Sequence, residues 1–281
     1  MVVATQQITI AHSPDSDDAF MFYALAAEKI DTHGLQVKQV LKDIQSLNVD
    51  AKNGVYEVSA ISFAVFPQID EKYSLMPCGA SMGLNYGPTI VSKRPLTRLE
   101  LRKSKLAIPG KLTTAYLVAR LYEPDLNVVE VPFDKIIDAV QAGEVDAGLL
   151  IHEGQLTYAD LGLTKVVDLG EWWYEKFQLP LPLGGNVIRK DLGDKVIRDT
   201  TLMLQESIKY SLAHREQALE YAMQFARELN KPQADKFVGM YVNDLTVDYG
   251  DDGRKALRKL FELAFENRLI DKPVKVEFVE I

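Results

Sequence analysis

The chain has 281 residues, 47% hydrophobic and 26% charged, with a formal net charge of −8. That length predicts one large domain or two of about 150 residues, with enough buried surface to need no covalent staple. The single cysteine, Cys78, excludes an internal disulfide and a multi-cysteine metal centre. An acidic balance without a long basic run argues against a nucleic-acid partner.

Met1 to Gln7 carry no basic n-region and no apolar core, so no signal peptide is expected. No stretch reaches the roughly 20 apolar residues of a membrane span, so no membrane partner is expected. With the lone thiol, this predicts a cytoplasmic protein.

In chain order, residues 8–11 read as a strand and 17–28 as a helix. Residues 35–41 are a second strand, and 43–53 a helix stopped by Gly54. Strands follow at 57–63 and 88–92. The pattern then restarts: strand 105–108, helix 113–122, strand 127–131, helix 133–142 stopped by Gly143, and strands 145–151 and 165–169. The apolar run at 145–151 suits a sheet covered on both faces. Strands alternating with helices predict parallel sheets built from βαβ units. Residues 199–230 read as strongly helical, with Leu204, Ile208 and Leu212 on one face and Leu219, Ala222, Ala226 and Leu229 on another. Leu257, Leu260, Phe261, Ala264 and Phe265 put a regular core-facing stripe on a helix over 254–269. The fold class is therefore α/β in two lobes with a helical C-terminal segment. Residues 1–92 and 190–281 form the first lobe and 93–189 the second. Crossings near 91–101 and 181–190 make a hinge, with the ligand cleft expected between the lobes.

Gly79-Ala80-Ser81-Met82-Gly83 matches the G-x-S-x-G pattern of a hydrolase elbow, but Gly87-Pro88 soon after cannot continue as the required helix. A glycine-rich loop entering a strand is the plainer reading. Pro109-Gly110-Lys111-Leu112-Thr113-Thr114 fails the phosphate-loop pattern. It still places two threonines where a helix begins, suited equally to capping and to holding a carboxylate. Asp15, Asp17 and Asp18 crowd the loop after the first strand. Acidic residues favouring a helix start outweigh a cation site there, and no EF-hand pattern is present. His152, closing the strand 145–151 with Gly154 two residues on, is placed either to face a cleft or to be satisfied by backbone. His12 is another strand-end histidine. Trp172-Trp173 reads as packing before ligand stacking, and Asp244, Thr246 and Asp248 as a turn.

Several of these motifs together resemble one family. They are Ser13-Pro14 through Asp18 with Ala19-Phe20-Met21-Phe22-Tyr23; Pro109-Gly110 with Leu112-Thr113-Thr114-Ala115; and Gly143 to Gly148 running into His152-Glu153-Gly154-Gln155-Leu156-Thr157-Tyr158. The chain resembles the 1,4-dihydroxy-6-naphthoate synthase family of the futalosine route to menaquinone, from about Ile8 to Asp191 and more loosely beyond. The resemblance implies a type II periplasmic-binding-protein-like fold. It implies cleavage of cyclic dehypoxanthine futalosine without metal or organic cofactor. It implies His152 as the proton-abstracting base, and Ala60, Ile61, Ser62, Thr113 and Thr114 as substrate-binding residues. The expected partner is a small-molecule carboxylate, and the expected assembly a monomer or homodimer. Asp15, Ser16 and Asp17 replace the Cys, Pro and Asn that the family commonly carries. A chorismate dehydratase-like enzyme and a non-catalytic small-carboxylate-binding protein are the alternatives, with a serine hydrolase at Ser81 a distant third.

Overall fold

The computed structural model describes residues 6–226 and 229–281. The expectations for residues 1–5 and for 227–228 lie outside the described residues. The chain divides into two compact units. The first runs to Ser81 and adds Gly184–Asp251 and Lys275–Ile281; the second comprises Met82–Leu183 and Asp252–Val274.

The strands in chain order are β1 (Gln7–His12), β2 (Gln36–Leu41), β3 (Val58–Ser62), β4 (Tyr73–Leu75), β5 (Ser81–Gly83), β6 (Thr89–Ser92), β7 (Lys105–Ile108), β8 (Asn127–Glu130), β9 (Ala147–Leu150), β10 (Thr164–Asp168) and β11 (Leu181–Arg189). The helices are α1 (Ser16–Met21), α2 (Tyr23–Ala26), α3 (Ile44–Asn53), α4 (Arg98–Lys103), α5 (Thr114–Tyr122), α6 (Ile136–Ala142), α7 (Gly154–Thr157), α8 (Leu169–Phe177), α9 (Asp194–Ala213), α10 (Arg215–Ala222), α11 (Lys231–Tyr241), α12 (Asp244–Val247) and α13 (Gly250–Glu266).

The first unit holds a sheet in the order β2-β1-β3-β11-β4. β1 is parallel to both β2 and β3, while β11 runs antiparallel to β3 and β4. The second unit repeats the scheme as β10-β6-β9-β7-β8. There β7 is parallel to β8 and β9, and β6 runs antiparallel to β9 and β10. The expectation of wholly parallel sheets is thus corrected to mixed ones. The βα repeats supply the parallel strands, and β6 and β11 enter against them. Burial on both faces makes all these strands read alike, so their direction leaves no periodic trace.

The expected boundaries also shift. β6 is hydrogen-bonded on both sides within the second sheet, so residues 82–92 belong there. Gly184 to Ile188 pair with β3, so they belong to the first unit. Asp252–Val274, most of α13 included, belongs to the second unit, where Lys259 Nζ lies over the Phe177 ring at 6.0 Å. The chain therefore passes between the units at 81/82, 183/184, 251/252 and 274/275, where crossings were expected only near 91–101 and 181–190.

Local signals explain most elements. Asp43 caps α3 by accepting from the Ser46 amide at 3.0 Å, and Gly54 ends it in the left-handed conformation. The expected helix at 17–28 is broken at Phe22, whose ring stacks on His12 at 4.2 Å. The C-terminal helical stretch starts earlier than expected, at Asp194, and breaks at His214. On α13, Leu257, Leu260, Phe261 and Ala264 are buried as expected, whereas Phe265 is 43% exposed at the edge of the stripe. The core of the second unit joins Val91, Ala107, Ile136, Val140 and Leu150. A Cβ on Gly148 would lie 2.4 Å from Ile136 Cγ2 and 2.9 Å from Val140 Cγ2, so glycine is what allows α6 to lie directly on β9. Among the described residues, no helix is long and apolar enough to cross a membrane.

Candidate active site

In the second unit, two of the sequence-predicted motifs leave one edge of the sheet. β7 and β9 are parallel neighbours, with Leu106 beside Ala147 and Ala107 beside Gly148. The turns that follow them, at 109–113 and 151–153, therefore emerge together at the strand C-termini, where open α/β sheets hold ligands. Thr113 caps α5. Its Oγ1 accepts from the Tyr116 amide at 3.3 Å and donates to the Gly110 carbonyl at 2.8 Å. The hydroxyl proton of Thr113 is thus committed to its own turn. Thr114 opens the helix and is buried. The first-turn amides and the dipole are the intrinsic anion-attracting features of such an end.

His152 follows β9 by two residues and is 9% exposed. Its ring meets Phe133 edge-on at 5.4 Å. Nδ1 accepts from the Gly154 amide at 3.0 Å, and Nε2 faces the Phe133 carbonyl at 3.0 Å. An amide N–H can only donate and a carbonyl can only accept, so these partners assign the proton to Nε2 and the lone pair to Nδ1. A Cβ on Gly154 would lie 2.8 Å from His152 Cε1 and from Ile137 Cδ1. The space beside Gly154 is filled by the imidazole itself.

In the first unit, β3 is buried along its whole length, Ala60, Ile61 and Ser62 included. Asn48 on α3 clamps its end. Asn48 Oδ1 accepts from the Ser62 amide at 2.8 Å, and Nδ2 donates to Ser62 Oγ at 3.1 Å. β1 is the parallel neighbour of β3, with Ala11 beside Ser59, so the loop 13–18 leaves the same edge. Two of its acids close the loop on Ser13: Asp18 accepts from the Ser13 amide at 2.7 Å, and Asp15 from Ser13 Oγ at 3.1 Å. Among the described residues, no group of three or more His, Cys, Asp or Glu is arranged to hold a metal ion. His12 meets the Ser13 carbonyl and Gln39 Oε1 at 2.9 and 3.0 Å.

The remaining motifs resolve into architecture. Ser81 opens the short strand β5 with no helix after it, so the hydrolase elbow is absent. Trp173 is fully buried and donates to the Pro180 carbonyl at 3.1 Å, while Trp172 meets Tyr122 edge-on at 5.6 Å. Asp244 to Val247 form the single turn α12. Cys78 is buried, and burial pushes its thiol up to about 12, so it offers no thiolate.

Two participants escaped the sequence reading. Asn48 had a signal: it is a polar residue in register with Leu47 and Ala51 on the buried face of α3. Phe133 had none, because it contributes a backbone carbonyl.

The sequence profile of a family described as menaquinone biosynthesis matches residues 8–266. The chain belongs to that family. A family relative from Thermus thermophilus, named 1,4-dihydroxy-6-naphthoate synthase, is 38% identical over 91% of this chain and 93% of its own. A crystal structure of an Archaeoglobus fulgidus protein matches with a TM-score of 0.91 at 46% identity, covering 95% of this chain and all of that one. A Candida albicans protein described as having the generic periplasmic-binding-protein fold matches with a TM-score of 0.68 at 10% identity over 98% of each chain. Identity that low speaks to the fold alone, and the menaquinone biosynthesis chain has that fold. Within this framework, Thr113, Thr114 and His152 belong to the second unit and Ala60, Ile61 and Ser62 to the first.

Proposed function

We propose that the chain is a lyase that cleaves cyclic dehypoxanthine futalosine to 1,4-dihydroxy-6-naphthoate. The observation that carries this reading is its membership of the menaquinone biosynthesis family over residues 8–266, with a relative of that activity 38% identical over nearly the whole chain. We further infer a cytoplasmic location, in keeping with a biosynthetic role.

His152 is the base in this reading. The lone pair of Nδ1 now receives the Gly154 amide. The substrate group that yields its proton takes the place of that amide. Nε2–H keeps its bond to the Phe133 carbonyl, which holds the tautomer and stabilises the imidazolium as the proton arrives. A carboxylate of the substrate sits on the first turn of α5, where helix amides and dipole favour an anion. Thr113 shapes that turn through the Gly110 carbonyl, and Thr114 opens it. Ala60, Ile61 and Ser62 supply further substrate contacts from the end of β3.

The test is to incubate purified protein separately with cyclic dehypoxanthine futalosine and with chorismate, following products by mass spectrometry. Formation of dihydroxynaphthoate from the first compound alone is expected. Dehydration of chorismate without turnover of the first compound would transfer the chain to the neighbouring activity. Turnover of neither, with tight binding of one, would make it a carboxylate-binding protein.

A further inference from the structure

We propose that Asn48 is a positioning residue that fixes the direction of the Ser62 hydroxyl, so that Ser62 donates a hydrogen bond to a proton-free oxygen of the substrate, a carboxylate or a ketone. The inference rests on the reading of Ala60, Ile61 and Ser62 as substrate contacts.

The argument is one of donors and acceptors. The Ser62 amide can only donate, and it is 2.8 Å from Asn48 Oδ1. That contact fixes which way the Asn48 amide faces. Nδ2 is then the atom that meets Ser62 Oγ, at 3.1 Å, and it can only donate. Ser62 Oγ must accept from Asn48, so its own proton points away from Asn48. Among the described residues, no acceptor takes that proton. Thr113 shows the opposite arrangement, because its proton goes to the Gly110 carbonyl. Of these two hydroxyls, Ser62 is the one set as a donor.

The placement of Asn48 supports a dedicated role. It is fully buried on the face of α3 that carries Leu47 and Ala51. An apolar residue there would pack without needing partners, whereas a buried amide must have them. The helix that carries it is fixed at both ends, by the Asp43 cap and by Gly54. Ser62 is itself buried at the end of a central strand, so neither partner is free to drift.

The experiment is a double-mutant cycle of Asn48→Asp and Ser62→Ala, reading KM for cyclic dehypoxanthine futalosine together with the melting temperature. An aspartate keeps an acceptor for the Ser62 amide but accepts the Ser62 proton, turning the hydroxyl away from the ligand. Ser62→Ala is expected to raise KM roughly 10- to 100-fold, the range for a hydrogen bond to a charged group. Asn48→Asp should raise KM comparably, and the double variant should be no worse than Ser62→Ala alone. A near wild-type KM for Asn48→Asp beside a weak Ser62→Ala overturns the proposal. So does additivity, which would mean that Asn48 acts on substrate or fold independently of Ser62. An unchanged KM for Ser62→Ala instead overturns the reading of Ser62 as a substrate contact, and the inference falls with it. Should Asn48→Asp not fold, Asn48→Ala serves in the same cycle. Its cost in melting temperature should appear in both backgrounds, and its cost in KM only where Ser62 remains.

Discussion

Replacing His152 by Asn separates the chemistry of the ring from its support of the fold. An asparagine Oδ1 occupies nearly the position of the histidine Nδ1, so the bond from the Gly154 amide, now 3.0 Å, is retained. Two contacts go: the Nε2–H bond to the Phe133 carbonyl and the edge-on packing against the Phe133 ring. An unmatched carbonyl costs about 1–3 kcal/mol, and the lost ring pair about 0.5–1.5 kcal/mol. Some of the first cost is recovered if water enters the space left by the ring. A net loss of about 2 kcal/mol lowers the melting temperature by roughly 4–8 °C in a chain of this size, leaving the variant folded at 25 °C. Loss of a general base lowers kcat by about 10²–10⁴. The assay is kcat by product mass spectrometry, with circular dichroism melts on the same preparations. Turnover within a few-fold of wild type would refute the base assignment. A variant that is unfolded at 25 °C would show instead that the contacts to Phe133 are the main role of the ring.

Other changes probe the surrounding geometry. Gly154→Ala puts a methyl 2.8 Å from His152 Cε1; it should displace the imidazole and lower kcat at least tenfold with little change in KM, and unchanged kcat would show that the ring position does not matter. Thr113→Ala removes the cap of α5, costing about 1 kcal/mol, and should raise KM, with Thr113→Ser restoring both; an unaltered KM in Thr113→Ala places the substrate anion elsewhere. Burial pushes Asp168 up to about 6 despite its bonds from the Gly170 and Glu171 amides at 2.8 and 3.1 Å. The folded chain therefore holds a proton there that the unfolded chain has released, and the stability this gives is complete below about pH 4 and lost as pH rises through 6. Urea melts between pH 4 and 7 should show a wild-type advantage over Asp168→Asn that shrinks with rising pH; a constant or growing advantage contradicts the shift.

The parts of the fold that showed in the sequence are those governed by neighbours in the chain. Asp43 and Gly54 bracket α3, and the apolar run before His152 marks β9. Helix α11 carried the same kind of signal, a capping box between Asn230 and Gln233, but it lies just beyond the helical stretch expected over 199–230 and no element was expected there. Helix α8 follows β10 with no intervening loop, so Asp168 both closes the strand and caps the helix, and the expected strand 165–169 ran over the helix start. Strand direction in β6 and β11 depends on partners far along the chain, so periodicity could not report it. The site divides in the same way. His152 stood out by residue type and position, whereas what surrounds its nitrogens is the backbone of Phe133 and Gly154. Asn48 is ordinary by type, and it acquires meaning only when α3 is laid beside the end of β3.

The fourfold passage of the chain between its units bears on how the protein is made. The second unit includes Asp252–Val274, and the first includes Lys275–Ile281. In the first, the Val279 amide bonds to the Leu75 carbonyl at 2.8 Å, laying residues 278–279 along β4, the end strand of the sheet order. During synthesis, the second unit lacks a piece until residue 274 has been made, and the first until residue 281. The usual economy of finishing an N-terminal domain before the next one emerges is closed to this topology. A stop codon near residue 250 would therefore not yield one sound half and one damaged half. It would leave both incomplete, with the edge of β4 open to pairing with other chains.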